Sequence, residues 1–436
     1  MTARNERIAW LAMVGIIALV ALRAPPRVTP TARDLDFAST VIELRQEIDH
    51  RYVRDVGEAE LRDAALRGML SVLDEFSVYI PPQNAEAFNL DLQGNFHGVG
   101  ILVDRQDEAG GLLIIRPIEE SPAALAGIRP GDRVVAVDGE DITALTQDQI
   151  IEKIQGPLGS LVTLTVERGA GDALRRLDLS MPRAEIATPV LDGYRRDENG
   201  QAVFWVDPDA PVKLGYIRLS RFTRESAART AALVASLHEQ GMRGLILDLR
   251  SNPGGLLDEA TWLADLFIDS GVIYSKRGAH SPEEIRYASP QPAAPDFPMV
   301  VLVNELSASA SEVLAGALSD HERAVIVGTR TFGKGSVQDV IRMSNDGELK
   351  LTTAHYYLPS GRLVHRTPGS EDWGVVPDVE VIVDYADPAE LGDRAIEPLF
   401  PRQVDAAVEV LLGLIASEEA SATRPTTGSA TRPARP

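Results

Sequence analysis

Residues 328–336 read GTRTFGKGS and run on as SVQDVIRMSNDGELKLTTAHYYL to Leu358. The first nine come within one residue of a phosphate-binding loop. That loop needs Ser or Thr directly after its lysine, to hold the accompanying metal ion, and a helix whose first N–H groups meet the anion. Here Gly335 follows Lys334, and Ser336 comes one place late. The next residues do not read as a helix either: SVQDVIRM and ELKLTTAHYYL alternate about the turn SNDG, which predicts a β-hairpin. Lys334 therefore precedes a strand, and the nucleotide-hydrolase reading fails.

Upstream, two further segments share one grammar with 324–338: a strand, a loop of small polar residues, then a helix. LILDL (245–249) leads through RSNPGG into LLDEATWLADLF, and MVVLVN (299–304) leads through ELSASASE into VLAGALSD. If the three strands are parallel, right-handed crossovers put all three loops at one carboxyl edge, where open α/β sheets build their sites. The ELSASASE loop offers Ser307, Ser309 and Ser311 at a strand-to-helix turn. A serine there is a weak nucleophile until a base takes its proton, and a desolvated lysine can be that base. Ser309 with Glu312 also fits the S-x-x-E capping box, so the residues alone leave capping and catalysis both open.

Composition narrows the partners. The 436 residues suffice for two or three domains, and the net charge of −21 disfavours nucleic acid and anionic lipid as main partners. There is no cysteine, which removes thiol catalysis, Cys-ligated zinc and disulfides. The seven histidines never form H-E-x-x-H, and no G-x-S-x-G elbow occurs. No metal or other cofactor is expected.

Arg4 and Arg7 precede the uncharged run IAWLAMVGIIALVAL (8–22), a signal-like core without a clean small-x-small cleavage site. Residues 1–30 are thus read as a signal or membrane anchor, which places the rest outside the cytoplasm. Residues 34–92 read as a helical arm, closed by Pro81-Pro82. Residues 94–180 turn to short β segments, 184–403 form the larger α/β domain, and 404–416 form a last apolar helix. The repeated SATRP of 417–436 predicts disorder. The helices of 35–73 and 404–416 are rich enough in Leu, Val and Ile to suggest a homodimer.

The smaller domain contains HGVGILV, ESPAALAGIRPGDRVVAVDGEDI and LVTLTVERG. Gly98 and Gly100 allow a nest of amides around Val99 for a carboxylate, and Ile101 begins a strand edge to which an extended peptide can add. Across about 94–180 this resembles a PDZ domain. The whole chain after the leader resembles the C-terminal processing peptidases, or tail-specific proteases, through LDEFSVYIPPQNAEAF, GYIRLSRF, DLRSNPGG, SASASE, ALSDHERAVIVGTRTFGKGSVQ, LKLTTAHYYLPSGR and VVPDVEV in the family's order.

That resemblance implies an α/β fold with a crotonase/Clp-protease-like catalytic domain, an inserted PDZ domain and an N-terminal helical arm. It makes Ser309 the nucleophile, Lys334 the general base and Gln338 the residue that orients the lysine. Backbone N–H groups of Ala310 and Gly254 would form the oxyanion hole. Arg168, at the end of LVTLTVER, becomes the candidate coupling the PDZ domain to the site. Substrates would be proteins with exposed apolar C-termini, with an activating partner left open, and the rival is a catalytically idle PDZ scaffold. Two departures stand out: Leu306 where the family has Gly, and LVHRTPGSEDWG at 363–374.

Overall fold

The computed structural model describes residues 31–422 except 93–94, 104–109, 119, 170–173, 188–189, 198–200, 291–294, 368 and 384–400. Residues 1–30, read above as a signal or membrane anchor, and the chain from 423 lie outside the described residues. Among those described, no helix is long and apolar enough to cross a membrane.

The helices Ala32–Arg51 and Glu58–Leu70 make one compact unit, and the chain from Leu73 makes a second. Neither of these two helices buries a residue; Leu35 and Leu44 are 61% and 62% exposed. The helical reading of 34–92 is interrupted before its end. The chain turns extended at Val78–Ile80, and Pro82 opens a helix to Leu92 instead of closing one. Proline suits that place because the first helical N–H has no partner in any case.

The second unit is built on a sheet whose strands β1 (Leu214–Leu219), β2 (Gly244–Asp248), β3 (Met299–Val303) and β4 (Val325–Gly328) lie side by side in chain order, all parallel. Every residue of β2 and β3 is buried, as a continuous apolar run between two covering layers should be. Alternate residues face opposite ways. Leu245, Leu247, Val301 and Val303 join the core under helices α1 (Ser226–Glu239), α2 (Leu257–Phe267) and α3 (Ala310–Asp320). Ile246, Val300 and Leu302 meet Val404, Ala407, Leu411 and Ile415 of helix α4 (Pro401–Ala422).

Two expectations change here. The apolar face of 404–416 covers its own sheet and is not offered to a second subunit. The helix also continues to Ala422, so the described part of 417–436 is ordered as helix. Its stripe, whose composition suggests a dimer contact, fills the vacant side of a two-faced sheet.

The hairpin is present: β5 (Ser336–Arg342) pairs antiparallel with β6 (Glu348–Tyr357). β6 also pairs with Val78–Ile80, whose register sets Val78 opposite Lys350. The smaller domain is a sheet of Ile101–Val103, Leu112–Pro117, Arg133–Val137, Leu161–Arg168 and Arg175–Pro182, with Glu140–Asp141 beside the third, around its own core. Its entry and exit strands, Asn95–Gly98 and Ala184–Ala187, pair antiparallel, as befits an inserted domain.

Candidate active site

Because β1 to β4 are parallel and neighbours, the loops after β2, β3 and β4 emerge at one edge, and hydrogen bonds join them. The Ser251 N–H donates to Asn304 Oδ1 at 2.7 Å, and the Ala308 N–H to the Asn252 carbonyl at 3.0 Å. The three serines then separate by role. Ser307 is fully buried and its hydroxyl donates to Leu249 O at 2.8 Å; Ser311 is fully buried and donates to Asn252 O at 3.0 Å. Both fasten the β3 loop to the β2 loop. Ser309 between them is only half-buried and has φ 57° and ψ −117°. A non-glycine residue there is strained by about 1–3 kcal/mol, and such strain concentrates at functional turns.

Glu312, buried one turn into α3, holds the nucleophile loop against the lysine loop. Its Oε2 accepts the N–H groups of Ser309 and of Lys334, each at 2.8 Å. Its Oε1 accepts the Thr331 hydroxyl at 2.6 Å and the Gly333 N–H at 2.7 Å. One carboxylate thus brings the two backbones within two hydrogen-bond lengths. Burial pushes Glu312 above the usual carboxyl range, against the four donors that favour its charge. The buried Tyr356 hydroxyl adds a second tie, in contact with Ser309 O at 3.0 Å and with Lys334 O.

Lys334 is half-buried, and its Nζ lies 4.4 Å from the centre of the Phe76 ring. Among the described residues no hydrogen bond joins it to Ser309 Oγ. Burial, helped by the charge of Lys350, lowers its pKa, while Glu312, Glu75 and Asp74 pull the other way. Phe76 is brought there by the strand Val78–Ile80 on β6 and by Ser77, whose hydroxyl accepts the Thr352 N–H at 3.1 Å.

The remaining expected residues fall unevenly. The Gln338 amide donates to Ser336 Oγ at 2.7 Å and Thr352 Oγ1 at 3.4 Å, so its observed partners are hydroxyls of the hairpin and not the lysine. Ala310 begins α3 beside the β2 loop. Gly254 has φ 98°, and a Cβ on it would come 2.8 Å from Ser309 Cβ and 3.0 Å from Ala310 N, so only glycine fits. Its own N–H, however, donates to Asn252 Oδ1 at 2.9 Å, which engages the expected oxyanion donor within its loop.

Arg168 is corrected more firmly. Its guanidinium grips Asp132 through two bonds of 2.7 Å and donates to Gly127 O at 2.8 Å, all inside the smaller domain. It braces the I-R-P-G-D turn instead of reaching the catalytic loops. The strand Ile101–Val103 is an edge strand, and a cavity of about 170 Å³ lies between it and the helix Gln147–Ile154, lined by Phe96, Val99, Gly100, Ile101 and Ile151 among others. Gly100 has φ 79°, and a Cβ there would strike Ser121 at 2.3 Å.

Behind the site, Asp248 and Arg250 form a fully buried ion pair, with Arg250 Nη2 to Asp248 Oδ2 at 2.6 Å. Tyr216 donates to the same carboxylate, and Arg250 reaches Gln403 of α4 at 3.1 Å. Burial alone would raise Asp248, but Arg250 holds it below the usual carboxylate range. Sequence reading missed this pair, along with Phe76 and Tyr356. Its one signal is two opposite charges within DLR at the end of an all-apolar strand.

Comparison with known proteins agrees with this architecture. The family model for peptidase family S41 matches residues 213–381, and that for a PDZ domain matches 113–168. A carboxy-terminal-processing protease of Bartonella bacilliformis is 35% identical over 77% of this chain and 73% of its own length. A carboxyl-terminal-processing protease of Synechocystis is 32% identical over 88% of this chain and 84% of its own. A solved Bacteroides fragilis structure assigned to the S41 proteases, 16% identical, shares the fold at a TM-score of 0.52 over 89% of this chain and 99% of that one. The chain belongs to the carboxy-terminal-processing proteases of peptidase family S41, serine-type endopeptidases that act on peptide bonds.

Proposed function

We propose that the protein cleaves polypeptides with a Ser309–Lys334 dyad after its PDZ domain has taken hold of their C-terminal tails, outside the cytoplasm. The observation that carries this reading is the shared Glu312 oxygen, which sets a strained, half-buried serine beside a lysine whose charge is disfavoured. In the reacting state the neutral Lys334 amine leaves the Phe76 ring, takes the Ser309 hydroxyl proton, and Oγ attacks the scissile carbonyl. The oxyanion faces the N–H of Ala310 at the start of α3, where the helix dipole favours negative charge. The lysine proton passes to the departing amine, and water releases the acyl group with the roles repeated. Gly254 contributes the close approach of its loop; its N–H joins the oxyanion hole only if the bond to Asn252 is exchanged.

Tail capture rests on the open edge of Ile101–Val103 and its cavity, where an extended peptide can add main-chain bonds and an apolar last side chain can enter. The extracytoplasmic location rests on the signal-like run 8–22 alone. Proteins differing only in apolar or charged C-terminal residues, incubated with the chain and with its Ser309→Ala form, provide the test by mass of products. Loss of cleavage in Ser309→Ala and preference for apolar tails are expected. Lys334→Arg should be as inactive, because a guanidinium stays protonated and cannot accept the proton. Binding without cleavage by the unmodified chain would favour the scaffold reading.

A further inference from the structure

Within 363–374, where this chain departs from its family's pattern, Arg366 and Trp373 lie directly on the lysine loop. The Arg366 N–H donates to Gly333 O at 2.8 Å, and the Val375 N–H donates to Thr331 Oγ1 at 2.7 Å. Between these ties sits Trp373, so close to Gly333 that a Cβ on the glycine would come 2.6 Å from the indole. Two guanidinium groups rest on that indole: Arg330 Cζ is 4.5 Å and Arg366 Cζ 4.7 Å from a ring centre.

Stacking on an aromatic face leaves the in-plane N–H edges of a guanidinium available, in the fork that suits a carboxylate. Arg330 uses one nitrogen on Glu371 O at 2.7 Å. The nearby Asp372 is committed to Arg362 at 3.5 Å. Among the described residues neither Arg330 nor Arg366 makes an ion pair, although the chain as a whole carries −21. Two permanent cations on one indole repel each other, and an anion between or beside them relieves that repulsion. Arg366 is exposed, and its backbone is bonded to the residue that directly precedes Lys334.

We propose that Arg366 and Arg330, mounted on Trp373, receive a carboxylate of the polypeptide in the active site, making acidity at one position near the scissile bond a specificity determinant of this protease. The inference rests on the peptidase reading of the site, and binding and cleavage are therefore read separately. Labelled short peptides carrying Asp or Asn at each position in turn, with free or amidated C-termini, are bound to the full-length Ser309→Ala chain and followed by fluorescence anisotropy. The same peptides are given to the unmodified chain and cleavage is read by mass.

One position should favour Asp over Asn by roughly 10-fold, as a charge-assisted hydrogen bond does. Arg366→Gln should bring that ratio close to one, and Arg366→Lys should keep part of it, since the charge remains and the planar fork is lost. Persistence of the Asp preference with amidated peptides assigns it to the side chain at that position, independent of the terminal carboxylate. An Asp/Asn binding ratio unaltered in Arg366→Gln, or no acidic preference at any position, overturns the inference while leaving cleavage intact. An acidic preference that Arg366→Gln removes, with no peptide ever cleaved, upholds the carboxylate-binding site but sinks the peptidase reading and with it the role in cleavage specificity.

Discussion

Lys334 lies among charges of both signs, and each makes a signed prediction. As a base it acts in its neutral form, so activity rises with pH through its pKa, and burial with Lys350 sets that limb below the ordinary lysine value of about 10.4. Lys350→Ala removes a repelling positive charge, makes the ammonium easier to keep, and should move the alkaline limb of kcat/KM to higher pH. Glu75→Gln removes an attracting negative charge and should move it to lower pH. A limb that shifts in the opposite direction in either variant would count against Lys334 as the base. Glu312 permits a second prediction. All four of its bonds are accepted from donors, so Glu312→Gln turns an amide NH₂ toward donors whichever way it is placed. The two loops should part, with kcat falling on the order of 100-fold, the cost of misplacing reacting groups by about 1 Å. Near-normal kcat would show that Tyr356 and the Phe332 N–H bond to Ser307 O hold the loops without it.

At the scale of elements, the ion pair behind the site should matter more to stability than to chemistry. Asp248 and Arg250 are each only 1% exposed, and removing one partner leaves a buried charge without its counterion. Arg250→Met is expected to destabilise the chain by about 3–5 kcal/mol in chemical denaturation. A loss under about 1 kcal/mol would mean that water or Gln403 takes over. Legibility in the sequence divides in the same way between local and distant. The parallel strands and their shared loop edge can be read because each strand, loop and helix comes in succession along the chain, and the hairpin because S-N-D-G sits between two alternating runs. Phe76 on Lys334 cannot be read that way: the contact depends on Val78–Ile80 pairing with β6, a strand register decided by tertiary packing. Arg168 escapes for a related reason. A strand end predicts a long exposed side chain but not its direction, and Asp132, buried in the adjacent turn, is the nearer counterion.

The whole molecule sets a PDZ domain into a peptidase through a stalk two strands wide. Of the two segments whose composition suggests a dimer, α4 covers its own sheet, so that expectation rests on the exposed helices Ala32–Arg51 and Glu58–Leu70 alone. The stalk permits a cleaner test of how the domains divide the work. Gly98 and Ala184 are paired across it, so residues 99–183 can be replaced by an Asn-Gly turn, which closes an antiparallel pair in two residues. The stitched β2, β3 and β4 loops contain no residue of the excised part, and Arg168 bonds to Asp132 and Gly127 inside it. The excised chain should therefore keep its cleavage of a short peptide within a few-fold, while cleavage of a folded protein with an apolar tail falls, chiefly through a raised KM. KM is the parameter to move because the tail adds binding remote from the reacting atoms, equal in ground and transition states. Loss of both activities in a chain that still unfolds cooperatively would mean that the PDZ domain helps organise the site, through contacts other than Arg168. Retention of both would leave the cavity beside Ile101 without a part in delivery.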